Sequence, residues 1–375
     1  MIVRWPVGGI RTYLKYVYPL LDHQLGGVSM SMIVPSAEEF EILRRDLSGL
    51  DIRFVSLGER CTIASLVRVI NREIIRGNFD LVHSHGFTAA VSAAAVARLR
   101  HIPHLATVHD ILHEPQFVGF KGLARRLGLT LGLGAVDLVQ AVSEDVARNL
   151  TEYLGAAVAG RVRVVRNGIL TDSILRSAPR DLRRELELAP NTFVIGFFGR
   201  FMAQKGFRYL VEAIRVLRDR GEIGGPLHVV SFGGGGFIRE ERAALGRAGL
   251  NSLFTFLPFA TDIGGALKGV DVVAIPSLWE ASSLLSMEAM VAGVPVIGTD
   301  CIGLAEVLAD SPATVVPASN HMLLADAICK EARSSTRQAA AAFIPRAIER
   351  FDASRTAAAL AGLMRGLVDP AALSR

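Results

Sequence analysis

Glu280 and Glu288 stand eight positions apart in "PSLWEASSLLSMEAMVAGVPVIGTD", a stretch that is otherwise mostly apolar. A carboxylate inside such a segment must find a cation, a donor or a ligand, and neither glutamate has a basic residue near it in sequence. Ser282 or Ser283 can cap a helix that runs to Gly293, with Pro295 beyond it. The amides around Leu284 and Leu285 then aim a positive helix end at an anion, while the carboxylates could accept from hydroxyls. A phosphate joined to a polyol suits that combination. A solvated Glu280 and a Glu288 paired with a distant arginine account for the same pattern.

"GFFGRFMAQKGFRYL" places Arg200 directly after one strand and Lys205 directly before a helix, between Gly199 and Gly206. A guanidinium forks onto phosphate oxygens and an ammonium adds a point charge, so a diphosphate is a natural guest. The run Gly233 to Gly236 also admits close backbone approach, but it is not GxGxxG with a following acidic strand end, which disfavours a nicotinamide site. Gly8 and Gly9 in "VGGIRTYL" fit either a ligand approach or a tight turn. His109 with Asp110, and His83 with His85, end two further strands, where an imidazole could donate to a sugar hydroxyl or a phosphate. Zinc held by His109, His113 and Glu114 is disfavoured, because their order differs from HExxH.

These residues need loops at the carboxyl ends of strands. Short apolar runs ("SMSMIV", "DIRFVSL", "DLVHSH", "HLATVH", "DLVQAVS", then "FVIGFFG", "LHVVSFGG", "LFTFLP", "VDVVAIP", "VPVIGT") alternate with amphipathic stretches. The reading is α/β, two doubly wound domains in tandem: 1–170, 171–345 and a helical tail 346–375 that packs across them. A linker is expected near Ile169 to Pro190, and Pro345 should break the tail. The opening strand is short, as would follow from an incorrectly chosen start site or from real loss of that strand.

At 375 residues, half of them hydrophobic, the chain can fill two cores. A net charge of +5 is too mild to imply a nucleic-acid partner. Cys61, Cys301 and Cys329 are far apart and lack a CxxC, as expected of buried thiols in a reducing cytosol. The run around "LGLTLGLGAV" is too short to span a bilayer. In "TIASLVRVINREIIRGN", Arg68, Arg72 and Arg76 form a row opposite Ile63, Val67, Ile70 and Ile74, which fits a solvated face or contact with an anionic membrane surface.

Together, "GGIRTYL", "TVHD", "VVRNGI", "GR" with "KG", and the Glu-x7-Glu stretch with "EAMVAGVPVIGTD" resemble the GT-B-fold retaining glycosyltransferases of family 4, in order across nearly the whole chain. The resemblance implies two Rossmann-like domains facing a central cleft, and a nucleotide-sugar donor held mainly by the second. It implies that Arg200 and Lys205 bind the donor diphosphate, Glu280 the sugar hydroxyls and Glu288 the ribose, with amides from Ser283 through Leu284 to Leu285 near sugar and phosphate. By the same resemblance, His109 contacts the transferring sugar, Gly8 and Gly9 serve the phosphate or acceptor side, and Asn167 with Gly168 forms the domain junction. No cofactor or metal is implied; the acceptor is a glycan or lipid-linked molecule. The location is cytoplasmic, extending to the inner face of the cell membrane. "ASS" after Glu280 replaces the family's common x-Phe-Gly. A non-catalytic nucleotide-sugar-binding protein and a sugar-nucleotide epimerase are the alternatives.

Overall fold

Short runs buried on both sides, linked by helices, are satisfied by a parallel sheet with helices on both faces. The computed structural model describes residues 1–35, 38–58, 62–221 and 225–369. One parallel sheet is built from β1 (Ile2–Val3), β2 (Met30–Val34), β3 (Ile52–Ser56), β4 (Val82–His85), β5 (His104–Val108), β6 (Leu138–Ala141) and β7 (Val162–Val164), in the order β3-β2-β1-β4-β5-β6-β7. The other comprises β8 (Phe193–Phe198), β9 (Leu227–Phe232), β10 (Phe254–Leu257), β11 (Val272–Ile275), β12 (Val296–Thr299) and β13 (Thr314–Val316), in the order β10-β9-β8-β11-β12-β13. Strand order reverses between β1 and β4 in the first sheet and between β8 and β11 in the second. Loops leaving those strands open at the crevices where such sheets take ligands.

The chain divides into two units, Met1–Gly168 with the chain from Ala353 onward, and Ile169–Asp352. The boundary therefore follows Asn167 and Gly168 directly. Gly168 abuts Ala353, where an added Cβ would lie 2.7 Å from its Cα. On the other side of the boundary, Ile169 N–H donates to the Phe351 carbonyl at 2.8 Å. The stretch from Ile169 to Pro190 is not a linker. Buried Ile174 and Leu182 anchor it in the second unit, and Ser177 Oγ donates to Asp262 at 2.6 Å.

The helix Arg337–Phe351 runs through Pro345 rather than breaking there. The carbonyl deprived of its partner belongs to exposed Ala341, where water can serve it. The break comes at Asp352, seven residues beyond the expected boundary, and the helix Ala353–Val368 packs in the first unit against the helix Gly9–Leu25.

β1 reaches only the upper part of its neighbours, pairing Ile2 with Ile33 and Ser84. A cavity of about 680 Å3 lies at the amino ends of these strands, lined by Met1, Tyr18, Met30, Leu81, His83 and Met364 among others. In the helix Ile63–Arg76 the buried side chains are Leu66, Ile70, Glu73 and Ile74, while Ile63 is exposed. Glu73 bonds Arg53 at 2.6 Å and lies 3.5 Å from Arg72, so the arginine row carries its own counter-charge. Cys301 and Cys329 are buried free thiols, and Cys61 lies outside the described residues. Among the described residues, no helix is long and apolar enough to cross a membrane.

Candidate functional site

In the second unit the two loops at the strand-order reversal carry the charged candidates. After β8 the chain passes Gly199, Arg200 and a 3-10 turn, Ala203–Lys205, before the helix Phe207–Arg220. Phe201 and Phe207, at either end of this loop, are fully buried and pack edge to face with ring centroids 5.0 Å apart. That pins both ends of the segment that presents Arg200 and Lys205.

The loop after β11 is zipped to it. Leu278 N–H donates to the Gln204 carbonyl at 2.8 Å, and Gln204 Nε2 donates to the Trp279 carbonyl at 2.9 Å. Gly206 has φ of 63°, and a Cβ there would fall 1.9 Å from the Pro276 carbonyl oxygen, so only glycine lets the loops close to this distance. A third loop, after β12, supports Glu280 from beneath. Glu280 N–H donates to the Ile302 carbonyl at 2.9 Å, and Gly303, with φ of 75°, passes so near that a Cβ would lie 2.0 Å from the Glu280 carbonyl oxygen.

Glu280 therefore has a protein partner. Lys205 Nζ donates to its Oε1 at 2.6 Å and Ser277 Oγ donates to the same oxygen at 2.7 Å. The cation is 75 residues away in sequence, which is why no local pattern showed it. With the Glu280 side chain 7 % exposed and Lys205 23 %, the pair is shielded from water and neither charge can lose the other cheaply. Arg200, by contrast, is half-buried and has no hydrogen-bond or ion-pair partner among the described residues. It is the cation at this crevice left to answer an anion.

The helix Leu284–Val291 begins beside the pair. Ser283 is its cap, its Oγ accepting from Ser286 N–H at 3.4 Å. The N–H groups of Leu284 and Leu285 find no acceptor among the described residues, as expected of a first helical turn. Glu288 lies one turn further along, buried. Arg200 and the orphan amides could thus take a phosphate group while Glu280 and Glu288 accept from hydroxyls. The glycine run after β9 has a structural use, since Phe201 N–H donates to the Gly234 carbonyl at 2.8 Å and the run supports the Arg200 loop.

At the corresponding strand ends the first unit gathers neutral polar groups. His109, just past β5, lies 4.8 Å from Tyr13 between ring centroids, and Tyr13 is one turn from the helix start at Gly8 and Gly9. Behind it runs a buried hydrogen-bond chain whose direction the chemistry fixes. The Val165 carbonyl can only accept, so Gln140 Nε2 faces it at 3.2 Å and Gln140 Oε1 accepts from Thr107 Oγ1 at 2.7 Å. With its proton committed, Thr107 accepts from His83 Nε2 at 2.7 Å.

Burial holds His83 and His85 well below the usual imidazole range, so both are neutral and each carries one ring proton. His83 Nδ1 then accepts from Tyr18 Oη at 2.7 Å, Tyr18 accepts from His85 Nε2 at 2.7 Å, and His85 Nδ1 accepts from His109 Nε2 at 2.9 Å. His109 is left with a lone pair on Nδ1, its pKa lowered by burial to about 3. Tyr18, Thr107 and Gln140 were missed in sequence; the only local signal was the two-residue spacing of His83 and His85, which puts both on one face of β4. His109, His113 and Glu114 do not assemble as a group, and no cluster of three metal-ligating side chains occurs among the described residues.

Two Rossmann-like units, each with its candidate loops at the strand-order reversal, define a GT-B fold. Residues 7–173 match the family described as Glycosyltransferase Family 4, and residues 192–333 match Glycosyl transferases group 1. The chain belongs to the group 1 glycosyltransferases of family 4. It is 27 % identical over 258 residues to a D-inositol 3-phosphate glycosyltransferase of Arthrobacter sp., covering 66 % of this chain and 60 % of that relative's length. A 2-deoxystreptamine glucosyltransferase of Streptomyces kanamyceticus is 28 % identical, over 70 % of this chain and 69 % of its own. Among solved structures, Anabaena HepE in complex with UDP and glucose superposes with a TM-score of 0.78 at 20 % identity, covering 97 % of this chain and 98 % of that one.

Proposed function

We propose that the protein transfers a hexose-type sugar from a nucleoside diphosphate sugar to a glycan or lipid-linked acceptor, with retention at the anomeric carbon. The observation that carries this reading is that two hydrogen-bonded loops at the reversal point of the second sheet bear Arg200, unpaired among the described residues, and the orphan amides of Leu284 and Leu285. The UDP and glucose held by HepE support the donor class.

In the proposed reaction the bond from the anomeric carbon to the diphosphate oxygen breaks, and its electron pair leaves with the diphosphate. Arg200 stabilises that charge, with Lys205 as the second cation and the amides from Ser283 to Leu285 receiving the remaining oxygens. Arg200 and Lys205 supply the charge that a metal ion would otherwise bring. The acceptor oxygen bonds to the same face of the sugar, and its proton passes to the departing phosphate oxygen. Glu280 holds sugar hydroxyls, Glu288 the ribose and His109 the transferring sugar; Gly8 and Gly9 serve the phosphate or acceptor side. The work is assigned to the cytoplasm, at the inner face of the membrane where lipid-linked acceptors are met.

The test is product analysis with UDP-, GDP- and ADP-sugars and a panel of glycan and glycolipid acceptors. Acceptor-dependent release of nucleoside diphosphate with an anomeric configuration matching the donor supports the reading. Conversion of the sugar nucleotide without acceptor would make the protein an epimerase. Binding without turnover across the panel would make it a non-catalytic sensor.

A further inference from the structure

The helix Gly119–Gly134 of the first unit has two apolar faces, and only one of them is used. Gly122, Leu129 and Leu133 are buried, and Gly132 lies close against Val91 of the helix Phe87–Leu99. On the opposite side Phe120, Leu123, Leu127 and Leu131 are 86 %, 63 %, 57 % and 65 % exposed, with Val118 exposed just before them. Their spacing of three and four residues makes a single stripe, turned about 140° from the buried face at 100° per residue. An apolar ridge of this extent facing water on a monomer marks an interaction surface.

The charges beside the stripe identify its partner. Lys121 flanks one side and Arg126 the other, both exposed, while exposed Arg125 lies further round the helix, and no Asp or Glu occurs from Val118 to Val136. Arg126 is held in place by a 2.7 Å bond from its Nε to the Tyr153 carbonyl. A second copy docking through the same stripe would bring like charges together with no acid on the segment to answer them. An anionic lipid surface satisfies both features at once. The apolar side chains enter the boundary between headgroups and acyl chains, and the long cationic side chains rise to the headgroup phosphates.

We propose that the helix Gly119–Gly134 docks the protein on an anionic membrane surface, lying in its plane with Phe120, Leu123, Leu127 and Leu131 inserted. The arginine row of the helix Ile63–Arg76 is a poorer candidate, because Glu73 sits within it. The proposal deepens the membrane part of the reading above and rests on none of the donor-site residues.

The experiment is flotation of the full chain with vesicles of phosphatidylcholine alone and of phosphatidylcholine mixed with phosphatidylglycerol. Two variants accompany the wild type, Phe120→Ser with Leu127→Ser, and Lys121→Glu with Arg126→Glu. Nucleotide affinity and thermal midpoint are measured on all three, so that loss of fold or of the donor site is seen separately. Wild type should float with the anionic vesicles. The apolar variant should lose about tenfold or more of that partition, and the charge variant a similar amount on anionic vesicles alone, since each basic residue near such a surface contributes severalfold. Equal partition of wild type on both vesicles, or variants that float as wild type does, would overturn the proposal. So would a dimer abolished by Leu127→Ser in a protein that binds no vesicles.

Discussion

The crevice of the second unit is built from ions: Lys205 and Glu280 pair at 2.6 Å, and Arg200, on the same loop as Lys205, has no partner among the described residues. The corresponding end of the first unit is built from neutral groups, a relay of three imidazoles, a phenol, a hydroxyl and an amide in which each donates to the next. The two arrangements suit different tasks. An ionic crevice can answer a charge that grows on a leaving group, whereas a neutral relay fixes which nitrogen of His109 carries a proton without adding a charge there. The contrast makes the units respond differently to the same kinds of change.

The largest expected effect is at the unpaired cation. Arg200→Ala should lower turnover on a nucleoside diphosphate sugar by about 10²- to 10³-fold, in line with removal of one charge-stabilising donor, while the unfolding midpoint moves little, because Arg200 has no partner to lose among the described residues. Near-normal turnover would remove the ionic half of the contrast. Next comes the pair. Glu280→Ala leaves the shielded Lys205 ammonium uncompensated, and urea unfolding should register a loss of about 2–3 kcal/mol, somewhat less than for a fully buried pair. Combining it with Lys205→Met should recover part of that loss, and simple additivity of the two variants would mean that they do not act as a pair.

The neutral relay predicts a pH response instead. Burial lowers His104 and His109 to about 3 in the folded protein, against about 6.5 in the unfolded chain. As pH falls below 6.5 the unfolded chain takes up protons that the folded one refuses. Stability is complete above that pH and drains away towards pH 3. Between about pH 7.5 and about pH 5 each of these histidines should cost about 2 kcal/mol of unfolding free energy. Equal stability at both pH values would mean that the histidines are not held neutral, and His104→Leu should flatten its share of the slope.

The smallest effect expected is from Gln140→Leu, which removes the acceptor that orients Thr107 and frees the relay to reverse. Turnover should fall about tenfold with donor KM unchanged, and nitrogen NMR should show the His109 proton no longer confined to Nε2. A variant whose His109 keeps its Nε2 proton would show that the relay does not set the tautomer.

Both sheets were legible in sequence because each buried strand is bounded by its own polar helix or glycine. Arg200, Lys205, Glu280 and Ser283 stood out because they lie in the loops between such strands and the helices that follow them. What tertiary contact alone decides was not legible: the Lys205–Glu280 pair spans 75 residues, and the relay draws on residues from Tyr18 to Val165. The stretch around Ile169 to Pro190 looked like a linker because Ile174 and Leu182 are too widely spaced to suggest a buried face. The exposed stripe from Phe120 to Leu131 escaped notice for the opposite reason, since an apolar helix is expected to be covered.

Calorimetric titration of wild type and Arg200→Ala with UDP, GDP and ADP tests the central claim most directly. The account predicts that wild type binds one nucleoside diphosphate selectively and that Arg200→Ala, still folded, binds it at least tenfold more weakly. Equal affinity in the two proteins would contradict the assignment of the diphosphate to Arg200 and the crevice between β8 and β11.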